Sequence, residues 1–72
     1  MLDYIQKLRI SYYNEFGKVP TKLYIDYYLF KKLRKELMYM LFEYHTLLYY
    51  KNSVSLLGME IEFKSWKLEV GE

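Results

Sequence analysis

Catalytic chemistry has few candidate residues in this sequence. The chain contains one histidine and no cysteine, so a serine-type catalytic arrangement would depend on His45 as its base, and a thiolate nucleophile is excluded. His45 lies in an apolar stretch, residues 37–50, where a packed structural histidine is more common than a catalytic one. The glycines, Gly17, Gly58 and Gly71, are isolated, whereas a phosphate-binding loop needs clustered glycines. We therefore predict that the protein is not an enzyme and uses neither a cofactor nor a small-molecule substrate.

Three glutamates near the C-terminus are the candidate metal ligands. Glu60 and Glu62 are two residues apart on a predicted strand, so their carboxylates project from one face, and Glu69 on a neighbouring strand would approach them. Carboxylate oxygens suit Ca²⁺ and Mg²⁺. Three acids without further ligands at a recognised spacing are more typical of a solvated sheet face, on which Glu60 or Glu62 would pair with Lys67. We predict no metal site.

A basic run on the second predicted helix is the strongest electrostatic feature. It consists of Lys31, Lys32, Arg34 and Lys35. Together with the nearby Tyr27 and Tyr28, these residues would suit contacts to phosphates and stacking on bases. However, the pI of about 8.8 lies below the value of about 9 that is typical of nucleic-acid-binding domains, and Glu36 and Glu43 share the predicted helix. Nucleic-acid binding is therefore the alternative hypothesis, and a solvated helix face is the simpler interpretation.

Tyrosine is over-represented in the composition. The chain has ten tyrosines, four phenylalanines and one tryptophan among 72 residues, more rings than so small a core can hold, because each buried phenol hydroxyl needs a hydrogen-bond partner. Several rings must be half exposed, and exposed aromatic residues are typical of protein interfaces. Adjacent tyrosines cannot all face inward, so three adjacent pairs are the candidate contact residues. These are Tyr12, Tyr13, Tyr27, Tyr28, Tyr49 and Tyr50.

Length and composition indicate one small domain over residues 1–72. Such a chain buries only about 60–65% of its unfolded surface, and self-association would add to its stability. The lack of cysteine favours a cytoplasmic location, in the host cell if the protein is viral. The longest apolar stretch, residues 37–50, is shorter than the ~20 residues that cross a bilayer, so we predict no membrane partner.

The hydrophobic pattern predicts an α+β domain in which two helices pack on one face of a sheet of about three strands. Apolar residues at three- and four-residue steps indicate a first helix over residues 3–16. Asp3 and Gln6 have the spacing of a capping box, and Gly17 can close the helix in the left-handed conformation.

Alternation of polar and apolar residues predicts a strand over residues 22–26, with Asp26 capping a second helix. We expect this helix to extend to about residue 44. An alternative stays open, because residues 46–50 have the composition of a strand and Lys51, Asn52 and Ser53 could turn it against residues 54–57.

The C-terminal segment predicts two strands, over residues 59–63 and 66–70, each with one apolar and one polar face. On this pattern Trp66 shares the buried face with Leu68 and Val70. The short Lys64-Ser65 connection would join the two strands as a hairpin. The predicted order is therefore helix, strand, helix, strand, strand.

Part of the chain resembles a viral family. Residues 17–25, with Pro20-Thr21 before a hydrophobic strand, are followed by a helix containing Phe30 and Leu33 and then by Leu56-Leu57-Gly58 before another strand. This succession resembles small phage- and prophage-borne proteins and part of tailed-phage major capsid proteins. The resemblance implies a mobile-element origin and an assembly context, and it supplies no catalytic residue.

These observations favour a non-enzymatic interaction or assembly module that associates with itself or with another protein through exposed tyrosines. Nucleic acid is the less favoured partner.

Overall fold

Helix α1, Leu2–Phe16, opens the fold in the computed structural model, which describes residues 1–39, 47–50 and 53–72. Its end is as predicted. Gly17 adopts a φ of 75°, and its N–H donates to the carbonyl of Tyr13 over 2.8 Å. This is the left-handed closure that glycine adopts without the steric cost of a Cβ atom.

The start of α1 corrects the predicted capping box. The helix begins at Leu2, so Asp3 lies inside the first turn and cannot act as the N-cap. The carboxylate of Glu36 takes that place: it accepts hydrogen bonds from the Met1 ammonium at 2.9 Å and from the Leu2 N–H at 3.0 Å. These contacts lower the pKa of Glu36, the ammonium contributing most.

Strand β1, Lys22–Ile25, leads directly into helix α2, Tyr27–Tyr39. Asp26 lies between them and caps α2 as predicted, since one oxygen of its carboxylate accepts the N–H of Tyr28 at 2.8 Å. The expected continuation of this helix, over residues 40–44, falls outside the described residues.

Strands β2, Leu47–Tyr50, and β3, Ser53–Leu56, pair antiparallel, with Leu47 opposite Leu56 and Tyr49 opposite Val54. The hairpin that stood as an alternative to a longer helix is therefore confirmed for these residues. Leu57 and Gly58 connect β3 to β4, Met59–Phe63, and both have positive φ, as a two-residue type I′ turn requires.

The described strands form one sheet in the order β2-β3-β4-β1-β5, where β5 is Leu68–Gly71. The prediction of an α+β fold is confirmed, but the prediction of about three strands is wrong. The predicted β4–β5 hairpin is also wrong, because β1 lies between these strands, parallel to β4 and antiparallel to β5. A connection across an intervening strand must cover roughly 10 Å, twice the strand spacing, and the four residues 64–67 do this where a two-residue turn would not.

The core lies on one side of the sheet. The buried residues of β1 and β4 are on one face, since Leu23 is opposite Ile61 in the register. They pack in one cluster with buried residues of both helices, including Ile5 of α1 and Leu33 of α2. The two helices therefore cover one face, and the other face carries Lys22, Tyr24, Glu60, Glu62 and Glu69.

Candidate interaction surfaces

The exposure of the tyrosines agrees with the composition argument. Among the tyrosine side chains that the structure describes, none is buried. Tyr12 and Tyr24 are half-buried, and the others are more than half exposed. Those others are Tyr4, Tyr13, Tyr27, Tyr28, Tyr39 and Tyr49. The fold therefore places phenol rings on both helices and on the sheet rather than in the core.

The two rings of the candidate pair on α1, Tyr12 and Tyr13, have different surroundings. Tyr12 packs against Phe16 one turn later, with ring centroids 4.6 Å apart. Tyr13 is exposed and lies beside a shallow groove with Ile10 and Val19. This distribution matches the expectation that one ring of an adjacent pair has no place in the core.

The pair at the start of α2 lies beside a lysine of the basic run. The ring of Tyr27 meets Phe63 of β4 edge-on at 5.5 Å. The ammonium of Lys31 is 5.0 Å from the ring centre of Tyr27 and 5.7 Å from that of Tyr28, so it contacts both rings through cation–π interactions. Tyr28 is 74% exposed. Sequence spacing accounts for the arrangement, because side chains three and four residues apart are neighbours on a helix.

The third candidate pair is on β2, at one edge of the described sheet. Leu48 and Tyr49 are both more than half exposed, on opposite faces of the strand, and the side chain of Tyr50 is outside the described ones. The strand sequence Leu-Leu-Tyr-Tyr contains no charge, glycine or proline. Among the described strands, β2 pairs only with β3, so the N–H and C=O groups on the other side of its backbone point away from the sheet.

The nucleic-acid candidates are all exposed on α2, where the opposite face of the helix carries Leu33 and Leu37 into the core. They are Lys31, Lys32, Arg34 and Lys35. Glu36 was an argument from the sequence against nucleic-acid binding by this helix. Its carboxylate binds the Met1 ammonium and the Leu2 N–H at the start of α1.

The turn after β4 is longer than the predicted Lys64-Ser65 connection and includes Trp66. Trp66 does not lie on a strand facing the core: it has a φ of 64° in the turn and is 95% exposed. Its backbone N–H donates to the second carboxylate oxygen of Asp26 at 2.9 Å, and the N–H of Asp26 donates to the carbonyl of Lys67 at 2.9 Å. The hydrogen bonds from Trp66 and then from Tyr28 lower the pKa of the Asp26 carboxyl.

The turn borders an open groove of about 440 Å³. Its lining residues are Asp26, Tyr28, Leu29, Ser65, Trp66, Lys67 and Leu68. The polar setting of Trp66, in Lys-Ser-Trp-Lys, was the available signal, because three polar neighbours are unusual around a buried tryptophan but ordinary in a turn.

The glutamates considered as metal ligands lie on the open face of the sheet. Glu62 pairs with Lys22 at 3.7 Å, and Glu69 pairs with Lys67 at 3.6 Å. The expected pairing of Glu60 or Glu62 with Lys67 is therefore wrong. Within residues 1–39, 47–50 and 53–72, no group of three acidic, histidine or cysteine side chains is arranged to hold a metal ion. His45 lies outside these residues. No helix in this part of the chain has both the length and the apolar character to cross a bilayer.

Comparison with known proteins gives no relative for this α+β fold or for these surfaces. No protein-family model, no curated protein and no solved structure matches the chain. The class that the structure defines is thus a small two-layer α+β domain with aromatic surfaces on the helices and at one sheet edge.

Proposed function

We propose that the chain is a non-enzymatic, self-associating interaction or assembly module whose copies pair through the outer edge of β2. The observation that carries this proposal is the composition of that edge: its four residues are uncharged, two of them are tyrosines of high β propensity, and Leu48 is 58% and Tyr49 57% exposed. Soluble proteins usually protect such an edge with charges, proline or a covering element. A second copy would form hydrogen bonds with the backbone groups of β2 that face away from the described strands.

The geometry favours an antiparallel pair. If a two-fold axis perpendicular to the sheet relates the two copies, their sheets continue into one another with the same face on the same side. Residues from the same face of β2 are then opposite each other where the two strands pair. Centred on Tyr49, this pairing sets the two Tyr49 rings opposite one another and Leu48 opposite Tyr50 of the second copy. An aromatic pair such as Tyr49 with Tyr49 stabilises strand pairing, and no like charges meet within the strand.

The small core supports the same proposal. Its buried apolar residues lie on one side of a single sheet, and a chain of this length gains stability from assembly. The resemblance to phage proteins would set such a module in particle assembly. That origin stays a prediction, because none of the comparisons bears on it.

Sedimentation velocity at tens of micromolar tests the proposal. We expect the unmodified chain to associate and Tyr49→Lys to dissociate it, with at least about tenfold weaker association, because two lysines would then lie opposite each other. Tyr39→Lys is the matched control, since Tyr39 is 89% exposed and lies on α2. A stable monomer for the unmodified chain, or equal association of both variants, would contradict the proposal.

A second candidate function, nucleic-acid binding, is favoured by one specific observation: Lys31 of the basic face contacts the rings of Tyr27 and Tyr28. This arrangement brings a cation and aromatic rings together at one end of α2.

A further inference from the structure

Backbone strain distinguishes Trp66 from the other residues of the described chain. Apart from glycine, only Leu57 and Trp66 have positive φ among the residues that the structure describes. This conformation costs a bulky residue energy, and it persists only where the surroundings impose it. Leu57 is partly buried and packs against the core, which offsets the cost. Trp66 is 95% exposed and has no such compensation.

Several backbone contacts impose the conformation of Trp66. Its N–H is bound by Asp26, and Lys67, the next residue, is bonded both to the Asp26 N–H and to Lys64 across the turn. The same carboxylate caps α2 through Tyr28. The turn and the start of the helix are therefore held together, and the tryptophan ring is presented to solvent from a fixed backbone.

The surroundings of the ring are aromatic and basic. Tyr28 and Trp66 line the same groove, and Lys31 contacts the ring of Tyr28. Lys67 follows Trp66 directly and lines the same groove. We call these four residues, Tyr28, Lys31, Trp66 and Lys67, the Trp66 surface.

The charge of this surface points to an anionic partner. Asp26 is the acid within the groove, and both of its oxygens are already engaged by backbone N–H groups. Lys67 shares its charge with Glu69 at 3.6 Å, while Lys31 contacts the rings of Tyr27 and Tyr28 and has no carboxylate partner among the described residues. A second copy docking here face to face would set lysines against lysines, which is unfavourable.

We propose that the Trp66 surface binds single-stranded nucleic acid. Trp66 and Tyr28 stack on bases, and Lys31 and Lys67 contact phosphates, an arrangement that needs no sequence-specific hydrogen bonds. The exposed Lys32 and Lys35 extend the positive charge along α2. A double helix is a poor ligand, because its base faces are already stacked within the duplex.

Fluorescence titration of the full chain with a labelled oligothymidylate of about 15 nucleotides tests this inference. Trp66 is the one tryptophan, so its emission reports contact directly, and we expect quenching by the oligonucleotide. Binding should weaken steeply between about 50 mM and 200 mM salt, as phosphate contacts require. The same sequence as a duplex should bind at least about tenfold more weakly, since its bases are not free to stack on Trp66.

Variants distinguish base stacking on Trp66 from electrostatic attraction to phosphates. The Trp66 variants have no tryptophan, so their binding is followed by the fluorescence anisotropy of the labelled oligothymidylate. Trp66→Ala should weaken binding about tenfold or more, and Trp66→Phe, which keeps a ring, should recover part of the loss. Tyr39→Ala, which removes another exposed ring, should bind like the unmodified chain. Lys31→Ala should reduce both the affinity and its dependence on salt.

Several outcomes would overturn the proposal. They are no binding at the lower salt concentration, equal affinity of Trp66→Ala, and equal affinity for the duplex. Quenching by polyglutamate but not by oligothymidylate would assign the surface to an acidic protein instead. Quenching that depends only on protein concentration would assign it to a second copy. Tyr49→Lys should retain full binding, so the outcome is independent of self-association through β2.

Discussion

The two edges of the sheet are built differently. Strand β5 carries Glu69, which pairs with Lys67, and α1 packs against this strand. Strand β2 has no charged residue and exposes Leu48 and Tyr49. Charged side chains and covering elements discourage unwanted strand pairing. One edge is therefore protected against pairing, while the composition of the other suits it.

The largest expected effect concerns the difference between the sheet centre and the β2 edge. Leu23 and Leu47 are both buried, but Leu23 is on β1, between β4 and β5, whereas Leu47 is on the edge. We expect Leu23→Ala to lower the free energy of unfolding by about 3 to 5 kcal/mol and Leu47→Ala by about 2 to 3 kcal/mol, since an edge collapses more readily around a cavity.

Denaturant unfolding of both variants at one protein concentration measures this difference, because association makes stability depend on concentration. An equal or greater loss in Leu47→Ala would show that β2 is as firmly held as the centre of the sheet.

Removal of the charge from β5 should make the two edges alike. Glu69→Val leaves a strand of apolar residues and glycine, so we expect a second mode of association and species larger than those of the unmodified chain. Glu60→Val is the control, because it makes the same change on β4, which is paired on both sides. Light scattering at matched concentrations measures the difference. Identical particle sizes for the two variants would mean that Glu69 does not protect the edge.

The turn that leads into β5 contains strain that glycine would relieve. Trp66→Gly should raise the free energy of unfolding by about 1 kcal/mol, because glycine adopts positive φ without the clash that a Cβ atom causes. The melting temperature should rise by roughly 4 to 8 °C. Leu57→Gly, at the other strained residue, should show no such gain, since it also removes a side chain packed on the core. A lower melting temperature for Trp66→Gly would show that its ring contributes to folding.

The elements that sequence predicts well here are those set by local signals. Gly17 closes α1, and Asp26 caps α2, because each acts on a backbone group within four residues. The cap of α1 was missed because Glu36 is separated from Leu2 by 34 residues. Residues 47–50 were ambiguous for another reason: leucine and tyrosine occur in buried helices as well as in strands.

The sheet order and the Trp66 surface depend on distant contacts in the same way. The alternation of polar and apolar residues correctly predicts which residues of β4 and β5 face the core. It contains no information on which strand lies between them. The position of β1 is settled by pairing with both neighbours, and this leaves Trp66 in a crossing turn instead of a strand. Exposed tyrosines were predictable from composition, whereas the surface containing Trp66 required the fold.

The smallest expected effect is a pH dependence of the turn that leads into β5. The pKa of Asp26 is lowered by hydrogen bonds from Trp66 and Tyr28. A carboxyl group with a lowered pKa in the folded state stabilises that state above its unfolded pKa of about 3.9, and this contribution is lost as the pH falls through the folded value. Acidification below about pH 4 should therefore loosen the turn, shifting the Trp66 amide resonance and its emission.

The strand residues of β2 have no carboxylate, so the Leu48 amide is the internal reference. Asp26→Asn should remove most of the Trp66 transition while preserving an oxygen acceptor. A Trp66 transition that persists in Asp26→Asn would mean that another carboxylate controls the turn.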